Sequence, residues 1–207
     1  RESRVRTAIT FALALVASIA IAAPQAPSQP EPAAQPQPAL PTPAPAPAPT
    51  TPPQVSGTAW VLIDHVSGQV LAAHNEQQPL HPASITKVMT SYVVADALAR
   101  GQIKADDEVF ISERAWRQGG AGTDGSFSGL AVNSRVNLDE VVHGLVIQSG
   151  NDAAIALAEH IAGSEEAFAD LMNQYAQRLG MRNSHFVNSH GLTAEGHLMS
   201  AYDIALL

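Results

Sequence analysis

Two short stretches carry the residue types that nucleophilic catalysis needs. Ser84-Ile85-Thr86-Lys87 sets a hydroxyl and an amine three residues apart. Residues three apart on a helix share a face, so the amine can approach the hydroxyl. A serine is a poor nucleophile until a neighbouring base takes its proton. A lysine can be that base if burial or a second cation lowers its pKa well below the usual value of about 10.4. The start of a helix adds free backbone N–H groups and a partial positive charge, which favour an oxyanion there. The second stretch is Ser149-Gly150-Asn151, at a junction between two helical patterns. Gly150 is expected to allow the turn, leaving Ser149 and Asn151 free to project to one side. Each stretch also has a plain structural reading. Ser84 can simply cap a helix while Lys87 is solvated, and Gly150 can end one helix while Asn151 caps the next.

The elements that must position these groups are legible from pattern. TAWVLID and QVLAAHN flank His65-Val66-Ser67-Gly68 and predict a β-hairpin. From Ser84 the apolar residues recur at helical spacing as far as Gly101. Helices are expected over LDEVVHGLVIQ, from Asn151 or Asp152 through AAIALAEHIA, and from Ser164 to Gly180. Glu165 and Glu166 suit the first turn of that last helix as a charge pair at its start. A further helix opens at Ser200, with Asp203 as a capping partner. The run QGGAGTDGSFSG, residues 118–129, lacks the Gly-Lys-Ser/Thr of a phosphate loop and reads as a mobile surface loop. The fold class is α+β, an antiparallel sheet packed against a helical subdomain. Only its N-terminal hairpin is expected within these residues. A lone hairpin is marginal in water, so further strands are expected beyond residue 207.

Residues 1–23 combine Arg1, Arg4 and Arg6 with an apolar run ending in small residues, as a secretory signal peptide does. Residues 24–53, rich in Pro, Ala and Gln, read as a semi-rigid spacer, and residues 54–207 as the folded part. The chain has 207 residues, no cysteine and a formal net charge of -8. The absence of cysteine excludes disulfides and a thiol nucleophile. The charge balance offers no basic stripe for nucleic acid.

Taken together, Ser-x-x-Lys followed by Ser-x-Asn is two-thirds of the motif set of penicillin-binding proteins and serine β-lactamases. The flanks HPASITKVMTSYV, GLVIQSGNDAAIALAEHIAGSEEAFADLMN, AWVLIDHVSGQVLAAHN and LGMRNSHFVNSHGL extend the likeness over residues 57–207. The chain resembles the low-molecular-mass penicillin-binding D-alanyl-D-alanine carboxypeptidases, in the β-lactamase/transpeptidase superfamily. The resemblance implies Ser84 as the acylated nucleophile and Lys87 as its base. It implies Ser149 as a proton relay to the leaving D-alanine, and Asn151 as the amide holding Lys87 and the substrate peptide. It implies peptidoglycan stem peptides and β-lactam antibiotics as partners, no cofactor and no metal. The implied address is the periplasm, with association at the inner-membrane surface through a C-terminal region outside the sequence.

The family's third motif, Lys-Thr-Gly, does not occur here. The reading is truncation, residues 54–207 being the N-terminal portion of the catalytic domain, with the 207-residue piece expected to be inactive. Three rivals stand beside the carboxypeptidase. A class A β-lactamase carries Ser-Asp-Asn and a deacylating glutamate, whereas the middle residue here is Gly150. A zinc D,D-peptidase would draw on His185, His190, His197, Glu195 and Asp203, whose spacing fits no recognised site and which read as polar loop residues. A catalytically silent wall-binding or penicillin-sequestering protein is the third.

Overall fold

The structure is a computed structural model that describes residues 55–120, 123 and 125–207. The signal-peptide and spacer readings lie outside the described residues. The expected hairpin is present as β1 (Trp60–Ile63) and β2 (Val70–His74), antiparallel, with Trp60 opposite His74 and an irregularity between Leu62 and Ile63. Its turn is tied by the Asp64 carboxylate, which accepts from the Ser67 N–H at 2.7 Å and from the Ser67 hydroxyl at 2.6 Å. A short carboxylate that bonds the chain a few residues on mimics a backbone turn.

A 3₁₀ turn, Ala83–Ile85, leads into α1 (Thr86–Ala99). Then come β3 (Glu108–Phe110), α2 (Glu113–Gln118), β4 (Arg135–Asn137), α3 (Leu138–Ile147), α4 (Asn151–Ala162), α5 (Glu165–Leu179) and α6 (Ala201–Leu206). Side-chain oxygens of Ser112, Asn137, Ser164 and Ser200 accept backbone N–H groups at the starts of α2, α3, α5 and α6. Gly163 and Gly180 end α4 and α5 in the left-handed conformation. These are the stop and start signals that local chemistry dictates.

The pair β3–β4 corrects the expectation of one hairpin followed by helices. Glu108 pairs with Asn137 and Phe110 with Arg135. These strands have three residues each and lie some two dozen residues apart, too short for alternation to register.

Two apolar clusters form the core, and α1 and α4 contribute to both. Val94 and Ala97 of α1 join Ile111, Leu138, Leu145 and residues 153–157 of α4. Met89 and Val93 join Ala158, Phe168, Met172 and Phe186. The run Ala153–Ala158 is fully buried on every side. Four of its six residues are alanine, which lets neighbouring helices approach closely. Among the described residues, no helix is long and apolar enough to cross a membrane.

Candidate active site

The end of α1 that carries Lys87 abuts the start of α4. Lys87 is 5% exposed, and its amine has three oxygen neighbours. It donates to Asn151 Oδ1 at 2.7 Å, to the His190 carbonyl at 2.7 Å and toward Ser84 Oγ at 3.3 Å. Two of these are obligate acceptors, and only the serine hydroxyl can also donate. When the amine is neutral, it keeps two N–H bonds and turns its lone pair to Ser84. Burial pushes the Lys87 pKa down to about 8, while the Asp152 carboxylate pulls it the other way. At pH 7 about a tenth of the molecules then hold a neutral amine.

Neither plain structural reading describes these residues. Ser84 lies in the 3₁₀ turn, exposed, and its hydroxyl caps no helix. Asn151 is the first residue of α4 rather than its cap, and its side chain is committed to Lys87. Ser84, Lys87 and Ser149 line one open cleft of about 200 Å³ with Val88, Ser91 and Val146. Ser149 has no hydrogen bond to either Ser84 or Lys87 among the described residues.

The turn between α3 and α4 is made differently from the expectation. Ser149, not Gly150, has the left-handed backbone, with φ at +54°. Gly150 has φ -62° and ψ 126°, a conformation open to any residue. Its lack of a side chain serves packing, because a Cβ there would overlap Ser128 Oγ. Strained non-glycine backbone cited from an observed angle is a recurrent mark of functional sites.

The glycine-rich run is also corrected. Its end is fastened to α4: the Ser126 carbonyl accepts from Asn151 N at 2.8 Å. Asp152, fully buried, accepts from Ser128 N at 2.8 Å and Leu130 N at 3.2 Å. These are long-range bonds, invisible in a run of Gly and Ser. Asp152 therefore touches both the loop and the charge balance of Lys87. Asp152→Asn removes the anion that favours protonated Lys87. The acid limb of serine acylation by a penicillin in the full-length protein is expected to move to lower pH, read from acylation rates across pH 5–9. An acid limb that stays in place or rises would contradict this.

Sequence reasoning missed the support of the turn that carries Ser84. His197, fully buried, stands 2.8 Å from Thr86 Oγ1 through Nε2 and takes the Val187 N–H at Nδ1. That acceptor role fixes the proton on Nε2, which donates to Thr86. Burial lowers the His197 pKa to about 4. Gly191, φ +95°, packs against the Ala83 carbonyl, where a Cβ would overlap. The His-Gly-Leu segment thus closes on the serine turn. Of the five residues weighed for a zinc site, the three histidines and Asp203 have separate engagements and Glu195 is exposed. His185 bonds the Gly196 carbonyl, His190 faces Glu165, and Asp203 accepts from Asn183 and Ser184. Glu165 is no simple charge pair at a helix start. It is buried, whereas Glu166 is exposed and held to about 2 by hydrogen bonding to Arg114.

A serine at a helix start, a buried lysine below it and the Ser149 end of a Ser-Gly-Asn bend thus meet at one cleft, with Asn151 bonded to the lysine. The family model for D-alanyl-D-alanine carboxypeptidases, peptidase S11, matches residues 46–207, and the chain belongs to that family. It is 45% identical over 168 residues to D-alanyl-D-alanine carboxypeptidase DacC of Escherichia coli, covering 81% of this chain and 42% of that one. It is 44% identical over 147 residues to DacF of Bacillus subtilis, covering 71% and 36%. The solved penicillin-binding protein 5 of Haemophilus influenzae superposes with a TM-score of 0.72 at 43% identity, over 76% of this chain and 45% of that one. The fold is thus that of the penicillin-binding carboxypeptidases, as the sequence implied. The chain spans about two fifths of the length of the curated relatives it matches.

Proposed function

We propose that the full-length protein is a serine-type D-alanyl-D-alanine carboxypeptidase acting on peptidoglycan stem peptides in the periplasm, and that β-lactams acylate the same serine. One observation carries the reading: the buried Lys87 amine has two fixed acceptors and a single remaining direction, toward Ser84 Oγ.

In the reaction, Ser84 Oγ bonds to the carbonyl carbon between two D-alanines and its proton passes to Lys87 Nζ. The carbon–nitrogen bond then breaks. The departing amine takes a proton relayed by Ser149, a residue that lines the same cleft. Water attacks the resulting ester, returning Ser84 to its hydroxyl form. Asn151 keeps the amine aimed through its 2.7 Å bond, and the family resemblance gives it the further role of holding the substrate peptide. Val88 and Val146 give the cleft apolar walls. No Lys-Thr-Gly occurs in the 207 residues.

The test is labelling of the full-length protein with a fluorescent penicillin. Wild type should carry a covalent label and Ser84→Ala none. An unlabelled wild type would defeat the proposal, and label on the Ala variant would move the nucleophile elsewhere.

A further inference from the structure

The carbonyl that accepts from Lys87 belongs to His190, in a segment without regular structure, residues 188–191. Backbone outside helices and sheets needs other partners to stay in place when buried. The partners here converge on one carboxylate. Glu165 Oε1 accepts from Ser189 N at 3.0 Å and from Ser189 Oγ at 2.7 Å. The same oxygen lies 3.4 Å from His190 Nε2. His190 Nδ1 accepts from Leu192 N at 3.1 Å, so the ring proton is on Nε2, facing Glu165. The second oxygen, Oε2, is 3.2 Å from the Arg114 guanidinium on α2. The remaining ties of the segment are neutral: Thr90 Oγ1 donates to the Ser189 carbonyl at 2.6 Å, and Asn188 Oδ1 takes the Gly191 N–H at 2.7 Å.

Glu165 sits in the first turn of α5, nine-tenths or more buried, outside the cleft. A carboxylate removed from water is costly unless its oxygens are bonded. The contacts of Oε1 all lead to the strip of chain behind the lysine, while Oε2 is anchored by Arg114. The geometry points to Glu165 as a positioning residue that, through Ser189 and His190, holds the His190 carbonyl against the Lys87 amine and keeps that amine shielded and aimed at Ser84. The assignment rests on Lys87 as the base, the reading given above. The charged and titratable groups around the amine are Asp152 at the start of α4 and His190 on this segment, with Glu165 and Arg114 behind the latter. His197 lies beneath Thr86. Without the two bonds to Ser189, the segment loosens, water reaches the amine, and the burial that lowers its proton affinity is relieved.

The experiment uses the full-length protein and two readouts, the titration of Lys87 Nζ by NMR and the rate of acylation by a penicillin. Glu165→Ala is expected to raise the Lys87 pKa by about one unit or more. It should slow acylation at pH 7 by about tenfold or more, as a displaced catalytic group does. Glu165→Gln keeps an oxygen that accepts from both Ser189 groups and should restore both readouts to within about threefold of wild type. Glu166→Gln, an exposed neighbour on the same arginine, should change neither. A folded Glu165→Ala with the wild-type titration overturns the assignment. So does a Gln variant as impaired as Ala, which would make charge rather than accepted bonds the working part. If Glu165→Ala is unfolded by circular dichroism, Ser189→Ala decides, and an unchanged titration there is equally fatal. The two readings fail separately. No penicillin label on wild type removes the enzyme reading, while the Lys87 titration still reports on the positioning.

Discussion

Lys87→Arg should abolish acylation for practical purposes, with a loss of about 10³-fold or more relative to wild type, the upper range for a positioned general base. The charge is kept, so a role for Lys87 as a mere cation beside Asn151 predicts a modest effect. A guanidinium stays protonated at any usable pH and has no lone pair to receive the Ser84 proton. The wild-type rate should climb about tenfold from pH 7 to well above 8, as the amine with a pKa near 8 loses its proton. The Arg variant should lack that climb. Stopped-flow acylation of the full-length protein by a chromogenic β-lactam measures both. An Arg variant within tenfold of wild type would remove Lys87 from the base role.

Gly191→Ala is expected to destabilise the fold by about 3 kcal/mol or more, summing left-handed backbone strain and a forced overlap. The φ of +95° is one that L side chains rarely adopt, and the added methyl meets the Ala83 carbonyl and crowds Thr86 Oγ1. Those atoms belong to the turn that carries Ser84, so acylation should fall along with stability. Urea denaturation measures the first effect and penicillin labelling the second. An unchanged midpoint would show that the His-Gly-Leu segment does not close on the serine turn as described.

What could be read from the sequence was local. The nearness of Lys87 to Ser84 was legible because three-residue spacing, across the 3₁₀ turn into α1, fixes their neighbourhood without reference to the rest of the chain. Helix ends at Ser164, Gly180 and Ser200 were legible because a cap acts within a few residues. The meeting of Lys87 with Asn151 was drawn from the family resemblance, since the partners are 64 residues apart. The contacts of Asp152, Glu165 and His197 were not legible, for a common reason. Each is a polar side chain with a partner 22 to 111 residues away, so its near neighbours in the chain do not reveal what it bonds. Gly150 was misassigned because a glycine between two helices suggests a turn. Its actual role, leaving space for Ser128, depends on a loop docked from elsewhere. One signal was available: Asp152 falls in an otherwise apolar helical stretch, where an ionisable group is rarely idle.

The all-round burial of residues 153–158 has a consequence for how the cleft can move. A segment with no solvent face unfolds only when the whole core does. Asn151 and Asp152 sit at the head of that segment and share its stillness. They act as the fixed datum of the site, and the compliance that admits a ligand falls to the irregular chain on either side of it.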